Sequence, residues 1–345
     1  MKIVIDSSIA FIEGVFEPYA DVVYIEGRKI THEDIVDADA LIVRTRTRCD
    51  ASLLDGSRVR IIAEAAISTH NIDLDYCEAH GIFVQNATGC NAGAVMNYVF
   101  SALYGTAARK SISLSGATIG ICGVGNAGGR VAKMARYLGY KVLQYDPPRA
   151  AREGLDGFCN LEVLLDQADI VTMHLPINDN TRDMCNADFF AKMRPGAFFI
   201  NASKGELVDE DALIGACGRL GPVIIDAWKN EPDINPELVD KADIATPHIS
   251  GYSYQGKQTA TLTAVRSVAR YFGIKELYDF FPEAEVKELE ALKLDLRGKS
   301  QGEIASVLQY NYPIFTDDFM LRMDPSNFEY LRRNYRYRRE FYVDY

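Results

Sequence analysis

The apolar residues of this chain gather in short runs separated by stretches of helical periodicity. Over the first 90 residues the runs lie at 3–5, 22–25, 40–43, 59–63 and 82–84. Between them, Thr31 and Asp34 have N-cap spacing, and residues 73–80 read as a helix stopped by Gly81. This alternation predicts a small parallel α/β layer structure. Residues 91–104 keep helical periodicity, and Gly105 is expected to end that helix. From 117 onward the runs are richer in β-branched residues and lie at 117–122, 141–145, 169–175, 197–202, 222–226 and 243–246. With helices between them, these strands predict a doubly wound parallel sheet. Residues 259–272 are helical in pattern and are expected to return to the first domain. Beyond 281 the composition changes. Ser300 and Glu303 form a capping-box pair, and Asp324-Pro325 reads as an N-cap followed by proline at the first helical position.

One of these junctions carries chemistry. The strand at 117–122 runs into Gly123-Val124-Gly125-Asn126-Ala127-Gly128, then a helix from Arg130 to Leu138 with Gly139 as its cap, then a strand ending at Asp146. Strand, glycine turn, helix, strand and acid in that order form a dinucleotide-binding fingerprint. Gly123 permits the tight turn, Gly125 lets backbone N–H groups approach a pyrophosphate, and Gly128 allows the helix to pack on its strand. Asn126 and Ala127 open the helix, whose N-terminus favours phosphate. Asp146 suits the ribose hydroxyls and repels a 2′-phosphate, which favours NAD over NADP.

Composition narrows the picture further. The 345 residues suffice for two domains and a small third, and 48% hydrophobic with 25% charged residues is an ordinary soluble composition. A net charge of −11 argues against nucleic acid as a partner, and no apolar run has membrane-spanning length. The seven cysteines are scattered, with no C-x-x-C and no Cys/His cluster, so buried free thiols in a reducing cytoplasm and no metal site are expected. The end of the chain is dense in Tyr and Arg, including Tyr335, Arg336, Tyr337, Arg338 and Arg339. In an acidic chain this reads better as a subunit interface, with a homodimer expected, than as a nucleic-acid patch, and a tail packing on its own domain is the alternative.

Three later segments follow strand ends. They are Asn201-Ala202-Ser203-Lys204-Gly205, Asp226-Ala227-Trp228-Lys229-Asn230-Glu231-Pro232 and Thr246-Pro247-His248-Ile249-Ser250-Gly251-Tyr252. Oxidising a 2-hydroxy acid removes a hydride from carbon and a proton from oxygen. His248 suits the proton, Glu231 suits the support of its ring, and Lys204 suits the substrate carboxylate and the forming carbonyl.

Over about residues 1–275 the chain resembles the D-isomer-specific 2-hydroxyacid dehydrogenases. Within them it is most similar to the branch that oxidises 4-phospho-D-erythronate to its 2-oxo acid with NAD in vitamin B6 synthesis. The strings that carry this are Asp146-Pro147-Pro148-Arg149-Ala150, Thr88-Gly89-Cys90-Asn91-Ala92 and the run from His248 to Lys257. The resemblance implies an α/β fold: a Rossmann sheet over 91–249, a smaller flavodoxin-like domain from 1–90 with 250–280, and a C-terminal dimerisation domain over 281–345. It implies His248 as proton donor and acceptor with Glu231 beside it, cofactor contacts at Asp146, Leu175, Asp226 and Gly251, and substrate contacts at Thr45, Ala66 and Tyr252. Arg44, beside Thr45, suits a phosphate.

The departures cluster at the site. Lys204 stands where the family has arginine, and Leu175 where it often has threonine. Ala66 replaces a threonine, Ser68 a glycine, and His70-Asn71 an Asp-His pair. Lysine keeps the charge but loses the planar two-point grip on a carboxylate. One lost charge-assisted hydrogen bond costs about 1.5–3 kcal/mol, roughly ten- to a hundredfold in rate. Two other readings therefore stay open: a dehydrogenase or reductase of other 2-hydroxy or 2-oxo acids, and an NAD-binding sensor with weakened chemistry.

Overall fold

The computed structural model describes residues 1–284 and 286–345. They form two compact units, Met1–Cys90 with Tyr254–Glu290, and Asn91–Ser253 with Ala291–Tyr345.

The first unit is built on a parallel sheet of five strands: β1 (Lys2–Asp6), β2 (Asp21–Ile25), β3 (Ala40–Val43), β4 (Ile61–Glu64) and β5 (Phe83–Asn86), in the order β2-β1-β3-β4-β5. Ile3 pairs with Ala40, Ala40 with Ile61, and Ile61 with Phe83. The inner strands β3 and β4 are buried at every position, because both faces of the sheet are covered. Alternate residues serve opposite faces. Ile3, Ile5, Ala40 and Ile42 pack with Ala264, Val265, Val268 and Ala269 of the helix Tyr254–Phe272. Val4, Leu41, Val43 and Ile62 pack on the other side with Ile35, Leu53 and Cys77. Thr31 with Asp34, and Asp73, cap short helices at the expected places. The strand order reverses between β1 and β3, and a sheet of this kind binds ligands at the carboxyl ends of the strands flanking such a point.

The second unit holds six parallel strands: β6 (Thr118–Cys122), β7 (Lys141–Tyr145), β8 (Ile170–Met173), β9 (Phe198–Asn201), β10 (Val223–Ile225) and β11 (Ile244–Ala245), in the order β11-β10-β9-β8-β6-β7. The helix Ala92–Arg109 runs through its core and is apolar nearly all round, as a fully enclosed helix must be. It continues past Gly105, contrary to the expected stop. A Cβ at Gly105 would lie 2.6 Å from Gln309 Nε2, so this glycine serves close helix packing.

Residues 291–345 belong to this same unit. A parallel pair, β12 (Leu292–Lys293) and β13 (Phe341–Tyr342), is tied to the long helix by Asn97. The Asn97 amide donates to Phe341 O at 2.8 Å and accepts from Phe341 N at 2.9 Å. The helix Gln301–Asn311 starts from the Ser300–Glu303 capping box. From the helix Ile314–Met323, Asp318 Oδ1 accepts a 2.7 Å bond from Ala245 N on the edge strand β11. This closes part of an otherwise open sheet edge. No helix among the described residues is long and apolar enough to cross a membrane, and the seven cysteines are unbridged.

Candidate active site

The glycine turn has the geometry that its spacing implies. Gly123 adopts φ +86°, and a Cβ there would lie 2.7 Å from His174 O. A Cβ at Gly128 would lie 1.9 Å from Gly123 O, so the helix Asn126–Tyr137 sits against the turn as only glycine allows. Gly125 faces open space, with nothing within 4 Å of its Cβ position. That leaves room for a pyrophosphate against the backbone at the helix N-terminus. Asp146 closes the turn from the end of β7. Its Oδ2 accepts from Val124 N at 2.8 Å and its Oδ1 caps the next helix through Arg149 N at 3.0 Å. Leu175 is buried beside Gly123. His174 is pushed down to about 4 by burial and stays neutral under the turn, with Nε2 3.0 Å from Thr172 Oγ1.

The three strand-end segments meet. Ser203 Oγ donates to Leu175 O at 2.8 Å, and Ser250 Oγ donates to Ala202 O at 3.3 Å. A Cβ at Gly205 would fall 1.9 Å from the Trp228 carbonyl, so the Lys204 turn lies flat on the 226–231 segment. The Lys204 side chain is exposed and makes no ion pair among the described residues. Asp226 is fully buried and organises the next loop. Its Oδ1 accepts from Thr246 Oγ1 at 2.6 Å and Ile249 N at 2.8 Å, and its Oδ2 from Ser250 N at 2.9 Å. Tyr98 adds a 2.6 Å bond to Thr246, so the central helix helps to fix the same loop.

That loop presents His248 at φ +53°, a left-handed conformation that costs a non-glycine residue energy and recurs at functional sites. Its Nδ1 lies 2.7 Å from Glu231 Oε1 and 2.8 Å from Oε2. Glu231 is also held by Trp228 N at 3.0 Å and by Arg332 Nη1 at 3.4 Å. Burial pushes the Glu231 carboxyl up, but the His248 hydrogen bond and charge, the Trp228 N–H and Arg332 together hold it below its ordinary value. An ionised acid on Nδ1 fixes that proton in place and leaves Nε2 as the basic atom. Gly251 packs on Asn91, with its Cβ position 2.5 Å from Asn91 Nδ2. The Tyr252 hydroxyl accepts from Arg332 Nε at 3.3 Å.

The remaining expected contacts belong to the first unit. Arg44, Thr45 and Arg46 follow β3, and Ala66 follows β4, at the carboxyl edge of that sheet. Lys257, in the first turn of the helix Tyr254–Phe272, is pushed down to about 8 by burial and then by the charges of Arg44 and Arg46. Three cations gathered at such an edge suit a phosphate. The altered loop makes new internal bonds, although Asn71 Oδ1 and Glu64 Oε1 are left without a hydrogen-bond partner among the described residues. Ser68 Oγ lies 2.7 Å from His70 Nδ1, and the buried Asn71 amide donates to Thr47 O at 2.8 Å and Glu64 Oε2 at 3.0 Å.

Glu64 itself is raised to about 8, chiefly by burial, against the Asn71 hydrogen bond and the Arg44 charge. The folded carboxyl therefore stays protonated where the unfolded one ionises. Its contribution to stability is full below its ordinary value of 4.5 and is lost as pH rises towards 8. The loss reaches roughly 3 kcal/mol by pH 7. Glu64→Gln is expected to remove this term, raising the unfolding temperature at pH 7–8 and flattening the pH dependence. A variant no more stable at pH 8 than at pH 5, relative to the parent, would contradict it.

Sequence reasoning gave no site role to Arg332 or to Lys257, the last residue of the run that begins at His248. Their chemical types are visible in the sequence, but nothing local places them here.

Residues 96–250 match the family model described as D-isomer specific 2-hydroxyacid dehydrogenase, NAD binding domain. The chain is 40% identical over 347 residues to the erythronate-4-phosphate dehydrogenase of Bacteroides fragilis strain ATCC 25285, covering 99% of this chain and 97% of that one. It is 35% identical to the enzyme of the same name from Yersinia enterocolitica, covering 99% and 93%. Among solved structures, NAD+-bound 3-phosphoglycerate dehydrogenase of Entamoeba histolytica superposes with a TM-score of 0.66 at 26% identity, over 83% of this chain and 99% of that one. The glycine turn fits the dinucleotide that the family model names. The chain belongs to the erythronate-4-phosphate dehydrogenases, an NAD-dependent branch of the D-isomer-specific 2-hydroxyacid dehydrogenases.

Proposed function

We propose that the protein oxidises 4-phospho-D-erythronate to its 2-oxo acid, a reaction of pyridoxine synthesis. The observation that carries this reading is the His248–Glu231 pair, at 2.7 Å, in the same unit as the glycine turn. Gly123, Gly125, Asn126, Ala127 and Gly128 cradle the pyrophosphate, with Asp146 towards the ribose. NAD, when bound there, would supply the acceptor for the hydride leaving C2. His248 Nε2 accepts the hydroxyl proton, and Glu231 stabilises the imidazolium that results. In the second unit the Lys204 ammonium and the Tyr252 hydroxyl suit a substrate carboxylate and hydroxyl. In the first unit, Arg44, Arg46 and Lys257 form a cationic edge suited to a phosphate, with Thr45 and Ala66 on the same edge as candidate substrate contacts. Asp226, Leu175 and Gly251 shape the cofactor side, Asp226 through the loop that it anchors.

Exposed Tyr310, Phe319, Met320, Met323 and Tyr330 on the C-terminal helices support a homodimer built through residues 281–345. Unbridged thiols throughout suit a cytoplasmic protein.

NADH absorbance over a panel of phosphorylated and plain 2-hydroxy acids tests the assignment. Erythronate 4-phosphate should give the highest kcat/KM. Equal turnover of unphosphorylated acids would favour a general 2-hydroxyacid dehydrogenase, and tight NAD(H) binding with no turnover a sensor. Lys204→Arg should raise kcat/KM about tenfold by restoring a two-point grip on the carboxylate. A fall would show the lysine to be fitted to this site.

A further inference from the structure

The Tyr- and Arg-rich tail does more within its own chain than an interface segment needs to do. Phe328 is fully buried beside Leu321 and anchors the short helix Phe328–Arg333. Arg332 lies four residues on and so on the same face. Its guanidinium reaches Glu231 Oε2 at 3.4 Å and Tyr252 Oη at 3.3 Å. The neighbouring residues grip the same loop. The Tyr252 ring stands edge-on to Tyr335 and Tyr337, with centroids 6.2 and 5.9 Å away. Ser253 pairs with Arg338 in a parallel bridge and donates to Glu340 Oε1 at 2.6 Å. Tyr335 and Arg338 are in turn fixed on Asp317, at 3.2 and 2.6 Å.

We propose that Arg332 is a positioning residue of the proton-transfer site, clamping the Glu231 carboxylate and the Tyr252 hydroxyl in one fixed arrangement from the C-terminal segment. Glu231 has two oxygens and a histidine able to bond either one. The Trp228 N–H fixes Oε1, and among the described residues the Arg332 guanidinium alone fixes Oε2 besides His248 itself. Arg332 carries a positive charge directly beside the acid–imidazole pair, whereas Lys204 of the same unit is exposed. The charged and titratable groups facing the pair are Arg332 and Tyr252, with Glu329 acting on Arg332 from the same helix. The inference rests on the dehydrogenase reading for its kinetic arm but not for its spectroscopic one.

Arg332→Gln, Arg332→Lys and, as a control on the same helix, Arg333→Gln separate the roles. Without the guanidinium charge the acid's field on His248 is less balanced, so the imidazole binds its proton more tightly. In Arg332→Gln, the His248 titration followed by NMR should move up by about half a unit to one unit. The acid limb of the kcat/KM profile should move with it, and kcat should fall about tenfold while the KM for NAD stays put. Arg332→Lys should recover most of the titration shift, and Arg333→Gln should show none. An unmoved His248 titration in folded Arg332→Gln, or equal effects of Arg332→Gln and Arg333→Gln, would overturn the proposal. Should the parent protein not turn over the substrate, the titration still decides it.

Discussion

Replacing His248 by alanine is expected to lower kcat by about a hundred- to ten-thousandfold, the span of general acid–base catalysis by one positioned group. The size follows from the geometry. The backbone holds this residue at φ +53°, and both Glu231 oxygens lie within 2.8 Å of Nδ1. A left-handed non-glycine residue tied to a half-buried acid is a constrained group, and the second unit holds one other imidazole, His174. His174, the histidine under the glycine turn, is kept neutral by burial and faces Thr172. NAD affinity, measured by fluorescence titration, should be unchanged, because the glycine turn owes nothing to His248. Turnover within tenfold of the parent would remove His248 from the chemistry.

Gly128→Ala is expected to cost most on the binding side. The added methyl would sit 1.9 Å from Gly123 O, a backbone atom that no rotamer change can move away. The helix Asn126–Tyr137 must then shift off the turn, taking its N-terminal N–H groups away from the pyrophosphate. Overpacking of this kind costs about 1–3 kcal/mol of stability. The NAD dissociation constant should rise by about a hundredfold, equivalent to some 2.7 kcal/mol. Gly129→Ala is the matched comparison, since its Cβ would meet only Val124 O at 3.7 Å. That variant should bind NAD normally. Equal binding by both variants would show that the close contact at Gly128 is irrelevant.

The strands were legible because buried parallel strands must be continuous apolar runs. The runs at 40–43 and 117–122 sit within a residue of β3 and β6. The site segments were legible for a related reason: each follows a strand end, where such a sheet places its ligands. Other features left no local trace. Gly105 looks the same in sequence whether it stops a helix or lets Gln309 approach one. The two-residue strands β12 and β13 are too short for a period and exist because Asn97 substitutes for a strand partner. Arg332 is one of many arginines in a basic tail, and its meeting with Glu231, 101 residues earlier, is a property of the fold. The departures at 66–71 read as losses in isolation, whereas the Ser68–His70 and Asn71–Glu64 bonds show a loop rebuilt around different side chains.

Hydride transfer itself can be followed with erythronate 4-phosphate carrying deuterium at C2. Incubated with the protein and unlabelled NAD, it should yield NADH containing one deuterium on the nicotinamide ring, with the hydroxyl proton released to solvent. NADH formed without the label, or no NADH at all, would contradict oxidation at C2 by this site.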